Sequence, residues 1–459
     1  MTQTVSLKYG AQRTQRRDDR RMRDFRSDRV GQFIHWGLYA IPAGRWKGRT
    51  YDFAAEFLPK SADIAPAEWE RLADEFAAPD FDATEWARMA KQLGARYLTI
   101  TTKHHDGFCL WPSEHSDLTI AQTPFGRTGR DLLAELIDAY TNEGLSVHLY
   151  YSVLDWHHPD WRYRVETPED EAAFVRYLEF ASAQLRELAT RYPQVRGFWF
   201  DGTWDASVKD NGWWTLEVET MLKDLIPGAL VNSRLRADDH GARHFDSNGS
   251  MMGDFESGFE RRLPNPWDTA VTERDWEACM TLTQGSWGRH VSTRVEATRK
   301  SPAEVTELIA HAVSRGGNIL LNFGPDGRGS IVPEERALAE SVGEWLANCG
   351  EAIYGCGFAT GWIPPTWGHL TADNRTGTVY AIVTNPPVSG VALVHVPEGT
   401  TLASITRVGS DAPIEAVERE QRQIALTVDR TAPMPEVFAI AVVTAEGRPR
   451  TEVNPDVVT

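Results

Sequence analysis

The sequence predicts an α/β chain: a parallel (β/α)8-like barrel followed by an antiparallel β-sandwich. Three observations carry that expectation. From about residue 30 to 355, short β-branched or aromatic runs alternate with stretches whose apolar residues recur three and four apart, as parallel strands joined by crossover helices require. After about residue 356 the helical period stops, and alternating strands separated by Pro, Gly and Asp turns replace it. The 459 residues also exceed what one ordinary core organises. The expected division is 1–355, with 1–29 a basic and acidic extension, and 356–459.

In chain order, the barrel strands are expected at Gln32–Trp36, Tyr97–Thr102, Val147–Ser152, Gly197–Phe200, Leu230–Asn232, Met280–Thr283 and Asn318–Asn322. Most are short and apolar enough to be buried on both faces. Helices are expected at Thr84–Leu93, Asp131–Glu143, Pro168–Arg191, Trp213–Ile226, Pro302–Ser314 and Pro333–Asn348, several of them bounded by Gly or Pro. The sandwich strands are expected at Thr378–Val383, Val391–Val396, Ile424–Val428 and Val437–Val443, with 447–459 as a frayed tail. The arginines at 16, 17, 20, 21 and 23 are interleaved with Asp18, Asp19 and Asp24, which reads as a solvated helix and not a nucleic-acid arm.

A net charge of −17 repels phosphate backbones and anionic lipid headgroups, so neither nucleic acid nor a membrane surface is an expected partner. The N-terminal segment has no apolar stretch of the kind that directs export, and the four cysteines show no CxxC pairing. A cytoplasmic, reducing location is the expectation. Seventeen tryptophans supply flat apolar faces of the sort that stack on the CH-rich faces of sugars, although core packing accounts for most of them.

In a β/α barrel, functional side chains stand where the strands end and the βα loops converge. His35 ends the first run, Lys103-His104-His105-Asp106 follows the second, Ser152 to Trp156 the third, and Asp201-Gly202 the fourth; Asn232 to Arg234 ends the next. Asp201 follows Phe198-Trp199-Phe200, where a strand end projects a carboxylate into a pocket and Gly202 would free space for a ligand. It could serve as a nucleophile or simply cap a turn. Glycoside cleavage by retention needs a second carboxyl roughly 5–5.5 Å away, and Glu256 and Glu260 in the loop segment GDFESGFERR are available. The histidines lack zincin-like ligand spacing, so no metal is expected.

At this point the resemblance becomes specific. The motifs are FIHWGLYAIPAGRW at 33–46, YLTITTKHHDGFCLWPS at 97–113, HLYYSVLDWHHP at 148–159, GFWFDGTW at 197–204, LVNSR at 230–234, SWG at 286–288 and GGNILLNFGPDGRGSIVP at 316–333. Together they resemble glycoside hydrolase family 29, the α-L-fucosidases. The resemblance implies a retaining exo-glycosidase acting on small fucosylated glycosides without a cofactor, with Asp201 as nucleophile. It implies a fucose pocket lined by His35, His104, His105, Tyr150 and Trp199, with Trp46 near its mouth and Arg234 beside the acid/base.

The family's Asp-aromatic-x-Thr-Pro-Glu pattern appears here only as Asp254-Phe255-Glu256-Ser257-Gly258-Phe259-Glu260. Glu260 is therefore favoured as acid/base, with Glu256 as the alternative. The usual Glu-Trp-Tyr reads Arg45-Trp46-Lys47, and SWGY reads SWGR with Arg289, which bears on leaving-group preference. Two alternatives stand beside this reading: a non-catalytic fucose-binding protein of the same fold, and a glycosidase for another L-sugar such as L-galactose. A homo-oligomer is compatible with either.

Overall fold

The computed structural model describes residues 4–409, 414, 417–419 and 422–444; the expected tail at 447–459 lies outside them. Eight parallel strands form the first sheet: β1 (Val30–Ile34), β2 (Tyr97–Lys103), β3 (Ser146–Ser152), β4 (Gly197–Asp201), β5 (Leu230–Val231), β6 (Glu256–Glu260), β7 (Trp276–Thr281) and β8 (Asn318–Phe323). Their order is β5-β4-β3-β2-β1-β8-β7-β6. The two ends meet through a parallel bridge between Asn232 and Phe255, flanked by Asp254 N–H to Val231 O at 2.7 Å and Ser233 N–H to Phe255 O at 2.9 Å. The ring thus closes, as a barrel must to leave no bare edge.

Seven of the strands fall where the sequence pattern placed them, within a few residues. The eighth corrects it: Glu256–Glu260, expected as loop, is a strand. Its residues, Glu-Ser-Gly-Phe-Glu, hold a single large apolar side chain and no apolar run, and the neighbouring β7 supplies the pairing that local propensity does not.

Alternate residues of each strand point to opposite faces, and the two faces hold different cores. Val30, Ile34, Leu98, Ile100, Leu149, Tyr151, Phe198, Phe200, Ile319 and Leu321 join the core under the helices. Phe33, Tyr97, Tyr150, Trp199, Leu230, Phe255, Cys279 and Leu320 fill the barrel interior. Gly31 is what admits Tyr97 there, since a Cβ at Gly31 would stand 2.4 Å from the Tyr97 ring.

The outer helices are α2 (Ala83–Leu93), α3 (Leu132–Asn142), α4 (Pro168–Arg191), α5 (Gly212–Leu225), α6 (Pro302–Ser314) and α7 (Pro333–Cys349). Asp82 and Asp131 cap α2 and α3, Thr167 and Pro168 open α4, and Ser301 with Glu304 forms a capping box on α6. No helix among the described residues is long and apolar enough to cross a membrane.

The N-terminal helix, α1 (Arg20–Asp28), is not the solvated element its charges suggested. Met22 and Phe25, three residues apart, are buried in the interior core and close the barrel floor. Its arginines and their neighbours are engaged by acids of the barrel: Arg26 and Arg16 with Asp275 at 2.7 and 3.1 Å, and Arg17 with Asp254 at 3.2 Å. Phe25 also meets the Phe255 ring at 4.7 Å. Phe25→Ala is therefore expected to cost about 3–5 kcal/mol, read as a lowered denaturation midpoint; a loss under about 1 kcal/mol would show that the floor is not part of the cooperative unit.

Beyond α7, β9 (Gly357–Phe358), β10 (Gly368–Asp373), β11 (Thr378–Val383), β16 (Glu436–Thr444) and β13 (Thr400–Arg407) form one antiparallel sheet in that order. A second comprises β12 (Val391–His395), β15 (Gln423–Thr427) and β14 (Val417–Arg419). Val379, Ala381, Phe438 and Ile440 from the first share a core with Ala392, Val394, Ile424 and Leu426 from the second, which makes the pair a sandwich. Tyr380, Ile382 and Val437 face the other way and join the barrel core.

Candidate active site

At the C-terminal end of the barrel, β4 delivers Asp201 and the turn after β5 delivers Arg234. One guanidinium nitrogen of Arg234 donates to Asp201 Oδ1 at 2.8 Å, and the other donates to Glu260 Oε2 at 3.0 Å. Its Nε donates to the Ser257 carbonyl at 2.9 Å, and its plane lies 4.6 Å from the Trp199 ring centroid. Five donors in a rigid fork make arginine suited to this bridging. A single guanidinium thus bridges the two carboxylates, which brings both acids to one rim of the barrel mouth.

The strand correction decides which glutamate joins the pair. The register against β7 runs Glu256 to Trp276, Phe259 to Ala278 and Glu260 to Cys279, so one extra residue is accommodated by a bulge. A bulge inverts the side-chain alternation. Glu260 opposes the inward Cys279, while Glu256 opposes the outward Trp276 and is held by Arg274. Glu260 is about a third exposed at its side chain, so the solvent at the barrel mouth reaches it.

Asp201 accepts a second hydrogen bond from Tyr150 Oη at 3.1 Å and has His105 Nε2 3.9 Å away. Burial is the largest single influence and would raise its pKa. The Arg234 charge, His105, and the bonds from Arg234 and Tyr150 together outweigh it, holding the carboxyl below its ordinary 3.8. Gly202 is required for a reason other than ligand space: its φ is +71°, and a Cβ there would meet the Leu154 backbone at 2.6 Å and Ser152 Oγ at 2.9 Å. The glycine lets the chain turn against its neighbour and leaves Asp201 at the rim.

The histidines present defined tautomers. Asn322 Nδ2 donates to the Trp287 carbonyl at 2.7 Å, which turns its Oδ1 toward His35 Nδ1, 2.6 Å away. That oxygen only accepts, so Nδ1 carries the proton and Nε2 is bare. Ser152 Oγ likewise donates to the Leu154 carbonyl at 2.6 Å and so accepts from His105 Nδ1, also at 2.6 Å. Burial pushes His35 down to about 3 and His105 to about 4, so both rings are neutral acceptors near pH 7. His104 lies parallel to Tyr150, with centroids 5.7 Å apart and planes 8° apart.

The structure thus gathers Asp201, Glu260, Arg234, His35, His104, His105, Tyr150 and Trp199. Trp46 stands on a short hairpin, packed against Trp69 at 6.3 Å; Trp69 in turn donates to Asp106 Oδ2 at 3.0 Å, beside His105 in the chain. Lys103, from the same run as His104, turns into the wall and pairs with Asp155 at 2.9 Å.

Several participants were not singled out from the sequence. Trp287 stacks on His35 at 5.0 Å, and Phe57, Trp156 and Trp204 present their rings to His105 at 5.5, 5.4 and 5.4 Å respectively. Glu277, fully inside the barrel, accepts from Trp199 Nε1 at 2.9 Å and Tyr97 Oη at 2.7 Å, and burial lifts its pKa to about 7. Its position, an acid within an apolar strand beside Trp276 and Ala278, was the available signal.

Against known proteins, the family model described as Alpha-L-fucosidase matches residues 2–351. Human plasma alpha-L-fucosidase is 31% identical over 431 residues, covering 87% of this chain and 84% of that protein. A bacterial fucosidase crystallised with a dihydroxy-methylpyrrolidine triazole inhibitor superimposes with a TM-score of 0.93 at 49% identity, covering 97% of this chain and 99% of the other. An alpha-L-fucosidase GH29 from Bacteroides thetaiotaomicron, trapped as a covalent intermediate with 2-fluoro-fucosyl fluoride using a glutamate-to-glutamine mutant, gives a TM-score of 0.92 at 49% identity, with 96% and 100% covered.

Proposed function

The chain belongs to the alpha-L-fucosidase family of glycoside hydrolases, and from that premise we propose that it releases terminal L-fucose with retained configuration through a covalent intermediate on Asp201. The single observation that carries this reading is the Arg234 fork bridging Asp201 and Glu260.

In the first half of the reaction, an Asp201 oxygen attacks the anomeric carbon while the Glu260 carboxyl gives its proton to the glycosidic oxygen, and the aglycone leaves. In the second, Glu260 takes a proton from water, the resulting hydroxide attacks the same carbon, and the Asp201 carboxylate departs. Arg234 and Tyr150 keep Asp201 anionic when free. His35 and His105, each with a bare Nε2, accept hydrogen bonds from sugar hydroxyls, and the Trp199 and Trp287 rings offer apolar surface to the sugar's CH face.

The test is hydrolysis of 4-nitrophenyl α-L-fucoside followed by NMR, with 4-nitrophenyl α-L-galactoside alongside. α-L-fucose as first-formed product is expected. The β anomer would overturn the double displacement, and preference for the galactoside would overturn the substrate.

A pH prediction follows from the neutral histidines. Their folded pKa values lie below the ordinary 6.5, so neither ring takes a proton as pH falls through 6.5; protonation waits until about 4 for His105 and about 3 for His35. Asp201, held below 3.8, also stays ionised through that range. The acid limb of kcat/KM is therefore expected near pH 4 or below. A limb centred at 6–6.5 that disappears in His105→Asn would contradict the lowered pKa and neutral state of that ring.

A further inference from the structure

Away from the barrel mouth, a second group of convergent ligand atoms lies where the barrel meets the sandwich. Glu307 and His311, four apart on α6, occupy one face of that helix, and His369 on β10 reaches them from the sandwich side. His369 Nε2 is 3.1 Å from Glu307 Oε1, and His311 Nδ1 is 3.9 Å from the same oxygen. One ligand atom from each residue falls within 4.8 Å of the other two.

The hydrogen bonding around His311 gives the cluster its meaning. His311 Nε2 is 2.9 Å from the Pro264 carbonyl, which can only accept, so that nitrogen carries a proton. Nδ1 then faces a carboxylate oxygen with its lone pair, and a positive species between them, either a proton or a metal ion, makes the contact favourable. A ring N–H donated to a backbone carbonyl is also the usual outer support of a metal-bound imidazole. Donor separations of 3.1 and 3.9 Å bracket the roughly 3.3 Å expected around a tetrahedral zinc with ligands at about 2.0–2.1 Å. Arg315, the nearest cation along the helix, is turned away, over the Phe358 ring at 4.5 Å and bonded to the Asp268 carbonyl at 2.9 Å.

We propose that Glu307, His311 and His369 form a divalent transition-metal site, best matched to zinc, that ties α6 of the barrel to β10 of the sandwich and shares no residue with the carboxylate pair. Two imidazoles and a carboxylate are a standard three-ligand zinc set. The Glu307 side chain is 39% exposed, which gives an ion a path in and leaves the fourth position to water. The site would add a metal tie to a junction already made of apolar packing and of hydrogen bonds such as Trp345 Nε1 to the Pro435 carbonyl at 2.8 Å and Thr371 Oγ1 to the Ala352 carbonyl at 2.6 Å.

The test uses the full chain, stripped with chelator and titrated with zinc chloride by calorimetry, then with cobalt(II) as a spectroscopic probe. One zinc per chain is expected, with a melting temperature raised by about 2 °C or more at a hundredfold excess over Kd. Cobalt should give the intense visible bands of a tetrahedral ion. His369→Gln and His311→Gln should each weaken binding at least about tenfold and abolish the cobalt bands, while circular dichroism and fucoside turnover without metal stay at wild-type values. Absence of stoichiometric binding, or equal binding by wild type and His369→Gln, would overturn the site and leave a proton-bridged His–Glu cluster in its place.

Discussion

Asp201→Gly is expected to lower kcat on aryl α-L-fucosides by about ten-thousand-fold or more, because the variant has no atom to carry the glycosyl group. The protein should nonetheless fold. Arg234 keeps Glu260 and the Ser257 carbonyl as partners, so its charge is not left uncompensated in the barrel mouth. Near-ultraviolet circular dichroism and melting temperature are the controls. The glycine also opens room for a small anion, so azide should restore turnover and yield the β-configured fucosyl azide, the inverted product. Turnover within tenfold of wild type without azide would sink the assignment. Asp201→Asn, which preserves shape, should be as inactive but should not respond to azide.

The second large effect separates the two glutamates. Glu260→Ala is expected to lose about a hundred- to ten-thousand-fold on fucosides with alcohol leaving groups, which need a proton. The loss in the first step should be far smaller on 2,4-dinitrophenyl fucoside, whose leaving group departs as an anion, so that substrate should give a burst and then stall until azide takes the place of activated water. Glu256→Gln should stay within a few-fold of wild type, because that residue sits on the outward side of the bulge and is held by Arg274. If the two variants behaved the other way round, the register read against β7 could not be the catalytic one.

How much of this was legible beforehand depended on whether local pattern or distant partners make the element. Strands such as Tyr97–Lys103 and Asn318–Phe323 are buried on both faces, and that requirement is written into their own residues. Glu256–Glu260 has no such pattern; with a glycine at its centre it becomes a strand only because β7 and the Asn232–Phe255 bridge hold it. In the sandwich, Gly368–Asp373 and Thr400–Arg407 escaped notice for a related reason, being polar or interrupted runs completed by the strands beside them. Helix α1 misled through its charge, since Met22 and Phe25 at a spacing of three were outnumbered by arginines whose partners lie more than 200 residues away.

The site followed the same division. Asp201, His35, His104, His105, Tyr150, Trp199 and Arg234 stand at or near strand ends, so position along the chain already implied position in space. Glu277 and Asn322 lie within strands and act on Trp199 and His35 from below, which only the barrel's inward alternation reveals.

The thin closure between β5 and β6 carries a consequence for stereochemistry. Retaining and inverting glycosidases differ chiefly in the gap between two carboxyl groups, roughly 5–5.5 Å against 6.5–9.5 Å. Here Asp201 belongs to one side of the closure and Glu260 to the other, and no helix connects β5 to β6 to fix their offset. The guanidinium of Arg234 crosses that join and donates to both acids, at 2.8 Å to Asp201 and 3.0 Å to Glu260. In the proposed double displacement, the gap between nucleophile and acid would then be held by one planar side chain across this join, where the ring has no helix to brace it.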